Sequence, residues 1–336
     1  RRNKRKGVLD ESVISRLNEL GFLWDPIEAE FQEKIFYYFP SSAAYESVEK
    51  NYRDIDILAP QIYSLIYSQE LGIVENTKIL ELAEDKNIDV MPLVVNINND
   101  KALTSRFLKN DDAQEKFIED LIDEAQDRDF IGWQLDFENI NHLDRSRYAD
   151  FVKDAYEEFQ KEDLLLSVAV IPRTTPYNPN STNQDWSSGY DVKQLSRHSD
   201  FVTLMTYDDP RSSGPVASMN YVNDVLDHNL GLVDEDKISL GIPMYCWQYE
   251  YPSMQKIANV PYPLMKNTLS KYPISLSTYI NEYEAEIFLF IKNGMINIGW
   301  CDNAQSYQAK ESLADTLGFR GVSYWALGQE DPSFWE

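Results

Sequence analysis

Two acids stand two residues apart in the run FIGWQLDFENI, residues 130–140. The run reads as a buried strand, and a strand sends alternate side chains to opposite faces. Gly132, Gln134, Asp136 and Glu138 therefore share one face, and Ile131, Trp133, Leu135 and Phe137 share the other. The apolar face suits packing under helices. The polar face brings two carboxylates, on Cα atoms about 6.6–7 Å apart, toward one small space. Like charges in a shared pocket do not ionise together easily, so one pKa rises. A carboxylic acid that keeps its proton near neutral pH can donate it to a glycosidic oxygen. Glu138, further out, is assigned as that acid. Asp136 is the partner that accepts hydrogen bonds and steadies a developing positive charge. The competing reading is a buried acid pair satisfied by backbone amides or an arginine.

Such a pair needs a scaffold that holds strand ends in a ring. Eight β-branched or aromatic runs recur at 34–40, 55–63, 88–96, 130–139, 164–172, 199–209, 237–245 and 319–327. Helical patterns separate them, among them 111–128, 144–162 and 303–318. Strands alternating with helices call for a parallel sheet. For 336 residues the natural closure is a (β/α)8 TIM barrel, with its chemistry at the C-terminal strand ends. The long interval 246–318 is expected to be an insertion that walls the cleft, or else a separate small domain. Residues 1–33 are expected to form a helical N-terminal extension, and the barrel to span 34–335.

The net charge of −25 disfavours nucleic acid as a partner, since phosphate contacts need Lys and Arg. The chain's 21 Tyr and 7 Trp suit a sugar-binding cleft, because flat rings stack on sugar faces; ordinary core packing also uses such residues. Three scattered histidines, and cysteines only at 246 and 301, give no metal-ligand spacing, so no metal and no cofactor is expected. The adjacent acids Asp208 and Asp209 are a weak exception at the cleft rim. Cys246 and Cys301 pair only if the fold brings them together. The opening RRNKRKG suggests an upstream segment, such as a signal, a membrane anchor or further domains. An extracytoplasmic, monomeric domain is the expectation.

Four motifs share one resemblance. Ile131-Gly132-Trp133-Gln134-Leu135-Asp136-Phe137-Glu138 resembles the Asp-Gly-x-Asp-x-Asp-x-Glu signature that closes strand four in glycoside hydrolase family 18. LMTYDD (204–209), GIPMY (241–245) and GVSYWALGQEDPSFW (321–335) resemble that family's strand-six, strand-seven and strand-eight motifs. The likeness covers about residues 34–335. It comes nearest to the spore-germination and cortex-lytic branch, and to modules fused to polysaccharide deacetylase and glycosyltransferase domains. Two acids of the signature are replaced, by Ile131 and Gln134; the glutamine hydrogen-bonds but does not ionise, which bears on rate and pH optimum.

The resemblance implies hydrolysis of β-1,4-linked N-acetylglucosamine polymers, peptidoglycan or chitin-like, with retention. The substrate's own 2-acetamido oxygen would be the nucleophile, Glu138 the acid and then the base, and Asp136 the group that holds the acetamido N–H. Tyr207 would bind the acetamido oxygen, so the catalytic set is Glu138, Asp136 and Tyr207. Met205 would pack under the sugar, Asp208 bind a hydroxyl and Trp325 form an apolar floor. Gln134, Tyr38 and Tyr245 complete the expected substrate-binding set. A non-catalytic glycan-binding module on the same barrel is the alternative; retention of Glu138 speaks for the enzyme.

Overall fold

In a closed parallel barrel both faces of each strand are buried, one against helices and one inside the ring. A computed structural model describes residues 32–74, 77–182 and 184–336. Its barrel strands are β1 (Glu33–Tyr38), β2 (Ile57–Leu65), β3 (Leu93–Asn96), β4 (Gly132–Asp136), β5 (Leu165–Val170), β6 (Phe201–Leu204), β7 (Ile238–Pro243) and β8 (Gly321–Trp325). Each pairs in parallel with the next, and β8 returns to β1 through Glu33↔Gly321 to Phe36↔Tyr324. The expected (β/α)8 barrel is therefore closed, with no free edge. The run at 88–96 is interrupted. Pro92 has no N–H for the ladder, and it separates a two-residue piece, Asp89–Val90, from β3.

β4 is locked from outside. Trp133, Leu135 and Phe137 are wholly buried beneath helices Asp111–Arg128 and Arg145–Lys161. The Trp133 indole donates to the Leu121 carbonyl at 2.9 Å. Phe137 stacks on Phe151, ring centroids 6.2 Å apart and 9° from parallel. Burying three such side chains contributes roughly 1.5–3 kcal/mol each. A one-residue slip would turn all three inward, so their packing fixes the parity that aims Gln134 and Asp136 into the barrel.

β1 obeys the same parity. Ile35 and Tyr37 face inward, with Ile57, Ala59, Met91 and Leu93, whereas Phe36 and Tyr38 pack under the helices. Tyr38 therefore does not line the pocket as expected; its neighbour Tyr37 does. The other five strands add buried polar side chains: Gln134, Ser167, Thr203, Ser239 and Ser323.

Between β7 and the helix Ala304–Thr316 the chain forms a five-stranded antiparallel sheet, in the order Gln255–Pro261, Tyr245–Tyr251, Met295–Cys301, Ala285–Lys292, Ser275–Ile280. The sheet stops at Cys301, short of the expected limit of 318. Helix Ala304–Thr316 packs on β7 and β8 as an ordinary barrel crossover. Cys246 and Cys301 lie directly opposite on adjacent strands and form a disulfide, which joins the insertion's first and last strands. The expected N-terminal helix falls, but for its last two residues, outside the described residues; Glu33 already belongs to β1. Among the described residues no helix is long and apolar enough to cross a membrane.

Candidate active site

The C-terminal strand ends open into a cavity of about 610 Å³. Asp136, Glu138, Met205, Tyr207, Asp208 and Trp325 all line it, so six of the nine expected site residues meet in one space. Asp136 is the last residue of β4 and is 7% exposed. Glu138, two residues on, is half-buried nearer the mouth.

The two carboxyls differ in support. Asp136 Oδ1 is buried without a hydrogen-bond partner among the described residues. Burial, then the charge of Glu138, pushes its pKa well above the usual carboxylate range. The Glu138 carboxyl is also raised, by burial first and then by the charge of Asp208. No cation among the described residues offsets either shift, and both directions favour the protonated form.

Gln134 explains why Asp136 lacks a donor. Its Oε1 accepts from the Tyr37 hydroxyl at 2.5 Å, and its Nε2 donates to Ser167 Oγ at 2.7 Å and Thr203 Oγ1 at 3.0 Å. Thr203 continues to Ser323, and Ser323 to Ser239. Both amide protons are engaged across the barrel, and neither reaches Asp136. Gln134 therefore sits beneath the cavity, where it braces Tyr37, and does not contact the space a substrate would fill.

The aromatic wall comes from β6, β7 and β8. Tyr207 and Trp325 pack with Tyr245, Trp247 and Tyr249 of the insertion. Tyr37 and Trp325 lie 5.3 Å apart at the floor. Gly241 of β7 makes room for Tyr207: a Cβ there would sit 2.9 Å from the Tyr207 ring and 2.5 Å from the Leu204 carbonyl oxygen. Tyr245 is buried behind this wall and does not line the cavity. It donates to Asp208 Oδ1 at 2.6 Å. Asp208 keeps contact with solvent, yet the surrounding protein raises its pKa against the opposing pull of Tyr245 and Lys256. Asp209 is not free for a cation, being paired with Arg211. Among the described residues no group of three or more His, Cys, Asp or Glu could hold a metal ion.

Other lining residues carry little signal in the sequence. Trp186, 46% exposed, stands at the rim on the long segment after β5. Its signal was a lone tryptophan in a polar, proline-rich stretch (PRTTPYNPNSTNQDW, 172–186). Arg173, beside it, is tied to Asp185, Ser187 and Ser188.

A barrel with two neighbouring carboxyls of raised pKa at the end of β4, walled by aromatic rings, defines a glycosidase. The chain belongs to the glycosyl hydrolases family 18, whose family model matches residues 33–330. It is 26% identical over 304 residues to the uncharacterized glycosylase YvbX of Bacillus subtilis, covering 88% of this chain and 87% of that protein. It is 28% identical over 270 residues to the cortical fragment-lytic enzyme of Bacillus subtilis, 77% of this chain but 61% of that enzyme. Among solved structures, a chitinase from Chromobacterium violaceum superposes with a TM-score of 0.81 at 22% identity, covering 91% of this chain and 97% of that one. The spore cortex-lytic enzyme SleL of Bacillus megaterium does so at 0.80 and 23%, covering 90% and 72%.

Proposed function

We propose that this glycosidase hydrolyses β-1,4-linked glycans containing N-acetylglucosamine, peptidoglycan strands or chitin-like polymers, with retention through the substrate's 2-acetamido group. The observation that carries the reading is the meeting of Asp136 and Glu138 with Tyr207 and Trp325 in one cavity, both carboxyls raised in pKa.

Glu138, nearer the mouth, donates its proton to the glycosidic oxygen as the C–O bond breaks, and that bond's electron pair leaves with the oxygen. The acetamido carbonyl oxygen attacks the anomeric carbon and gives a cyclic oxazolinium ion. Water, deprotonated by Glu138, then opens this ring and returns the proton to the enzyme. The Asp136 Oδ1 atom, unpartnered among the described residues, accepts the acetamido N–H and offsets the ring's positive charge. The Tyr207 hydroxyl orients the acetamido oxygen. Trp325 and Met205 form the apolar floor, and Asp208, braced by Tyr245, takes a sugar hydroxyl. With Gln134 fixed below, Asp136 has no acid beneath it with which to exchange a proton, and the Asp136–Glu138 pair shares one proton between its members.

The similarity to a cortical fragment-lytic enzyme supports peptidoglycan within this class. The Cys246–Cys301 disulfide supports an oxidising, extracytoplasmic compartment. The test compares wild type with Glu138→Gln on N-acetylglucosamine oligomers and on peptidoglycan. Wild-type turnover and a loss of at least 10²-fold in the variant are expected; equal product release from the two overturns the assignment.

A further inference from the structure

The carboxyl of Glu138 is held from the segment after β3. At its base, the buried Asn96 amide clamps the Glu138 backbone: Oδ1 accepts from the Glu138 N–H at 2.9 Å and Nδ2 donates to the Glu138 carbonyl at 2.9 Å. The same Nδ2 donates to Thr104 Oγ1 at 2.8 Å. Beyond it, Asn98 and Asn99 take left-handed backbone angles, φ 56 and 50. Asparagine tolerates that region better than most residues. Across from them Asn139, φ 54, donates to the Asn99 carbonyl at 3.1 Å. The two turns face each other, and Asn99 Nδ2 lies 3.4 Å from Glu138 Oε2.

We propose that Asn99 is a positioning residue that selects which oxygen of Glu138 carries the transferable proton. In a neutral carboxyl the carbonyl oxygen is the better acceptor. An amide N–H aimed at Oε2 therefore makes Oε2 the carbonyl oxygen and leaves the proton on Oε1. When Oε1 gives its proton to the leaving oxygen, the same N–H strengthens its bond to the new carboxylate. The other groups around this carboxyl do not replace it. Asp136 from β4 and Asp208 from the segment after β6 are acids. Tyr190 gives its hydroxyl proton to the Phe137 carbonyl at 2.8 Å, and Tyr207 lines the same cavity with no hydrogen bond to Glu138 among the described residues. The inference rests on Glu138 being the acid.

The test is the pH dependence of kcat/KM on an N-acetylglucosamine oligomer for wild type, Asn99→Ala and Asn99→Asp. The aspartate variant keeps the side-chain shape and the left-handed turn, so it holds the test open if the alanine variant fails to fold. Loss of the donor removes a bond that favours the carboxylate, so the basic limb of Asn99→Ala moves up by roughly half a pH unit or more. Its kcat falls by about 3–10-fold. Asn99→Asp adds a like charge and moves the limb further up. Basic limbs that coincide with wild type in both variants overturn the role of Asn99 while leaving Glu138 as the acid. A wild type without hydrolysis overturns both.

Discussion

Gln134→Glu returns an ionisable group to the floor of the site without changing its size. In the wild type the Gln134 amide receives one hydrogen bond and gives two, inside a layer with almost no solvent contact. A glutamate there has two opposed influences. Three hydroxyls can turn to donate to it, which favours the charged form. Full burial, and the charge shared by Asp136 and Glu138 above, oppose ionisation. Burial alone shifts carboxyls by up to about 3–5 units, and hydrogen bonds recover part of that, which leaves a net rise of about 1–3 units above the unfolded value near 4.3. A folded pKa raised above the unfolded one contributes stability that is present below about pH 4 and is lost as pH rises through the folded pKa. At about 1.36 kcal/mol per unit, the variant loses roughly 1.4–4 kcal/mol relative to wild type between pH 4 and pH 8. Urea unfolding of both proteins across that range measures it. Parallel stability profiles would refute the buried, neutral floor and the reasoning built on it.

Two other substitutions separate binding from chemistry. Tyr245→Phe removes the 2.6 Å hydrogen bond that lowers the Asp208 pKa, so that pKa rises further. With Asp208 less charged, the acid limb of kcat/KM moves to higher pH, and a pH profile on a short oligomer reads it. Trp186→Ala removes an exposed ring at the rim, at a site 46% open to solvent. KM for longer oligosaccharides should rise about 3–10-fold, in line with one stacked ring, while kcat and thermal stability stay near wild type.

Much of the scaffold was legible because each strand leaves a local mark. All eight runs became barrel strands, and the parity of β4 followed from Trp133, Leu135 and Phe137 alone. Parity failed on β1, where Phe36, Tyr37 and Tyr38 are all large and apolar. Both faces of a parallel barrel strand are buried, so no alternation marks the inward side. Nearness to the strand end points to Tyr38, and in the structure Tyr37 takes that place. The position of Gln134 was legible but its partners were not, because Tyr37, Ser167 and Thr203 come from three other strands. Asn96 and Asn99 escaped notice for a related reason: they reach Glu138 only after β3 and β4 are paired. The helical pattern at 303–318 is legible, but its place in the barrel is not, because only packing on β7 and β8 separates helix Ala304–Thr316 from the insertion.

The most direct test of the mechanism is the fate of matched oligosaccharides that do and do not carry the 2-acetamido group, with the anomeric form of the first product followed by NMR. Hydrolysis of the N-acetylated substrate with the β-anomer appearing first, and turnover of the free-amine substrate lower by orders of magnitude, are the expected results. An α-anomer as first product, or equal turnover of the two substrates, would contradict nucleophilic participation by the acetamido oxygen between Asp136 and Glu138.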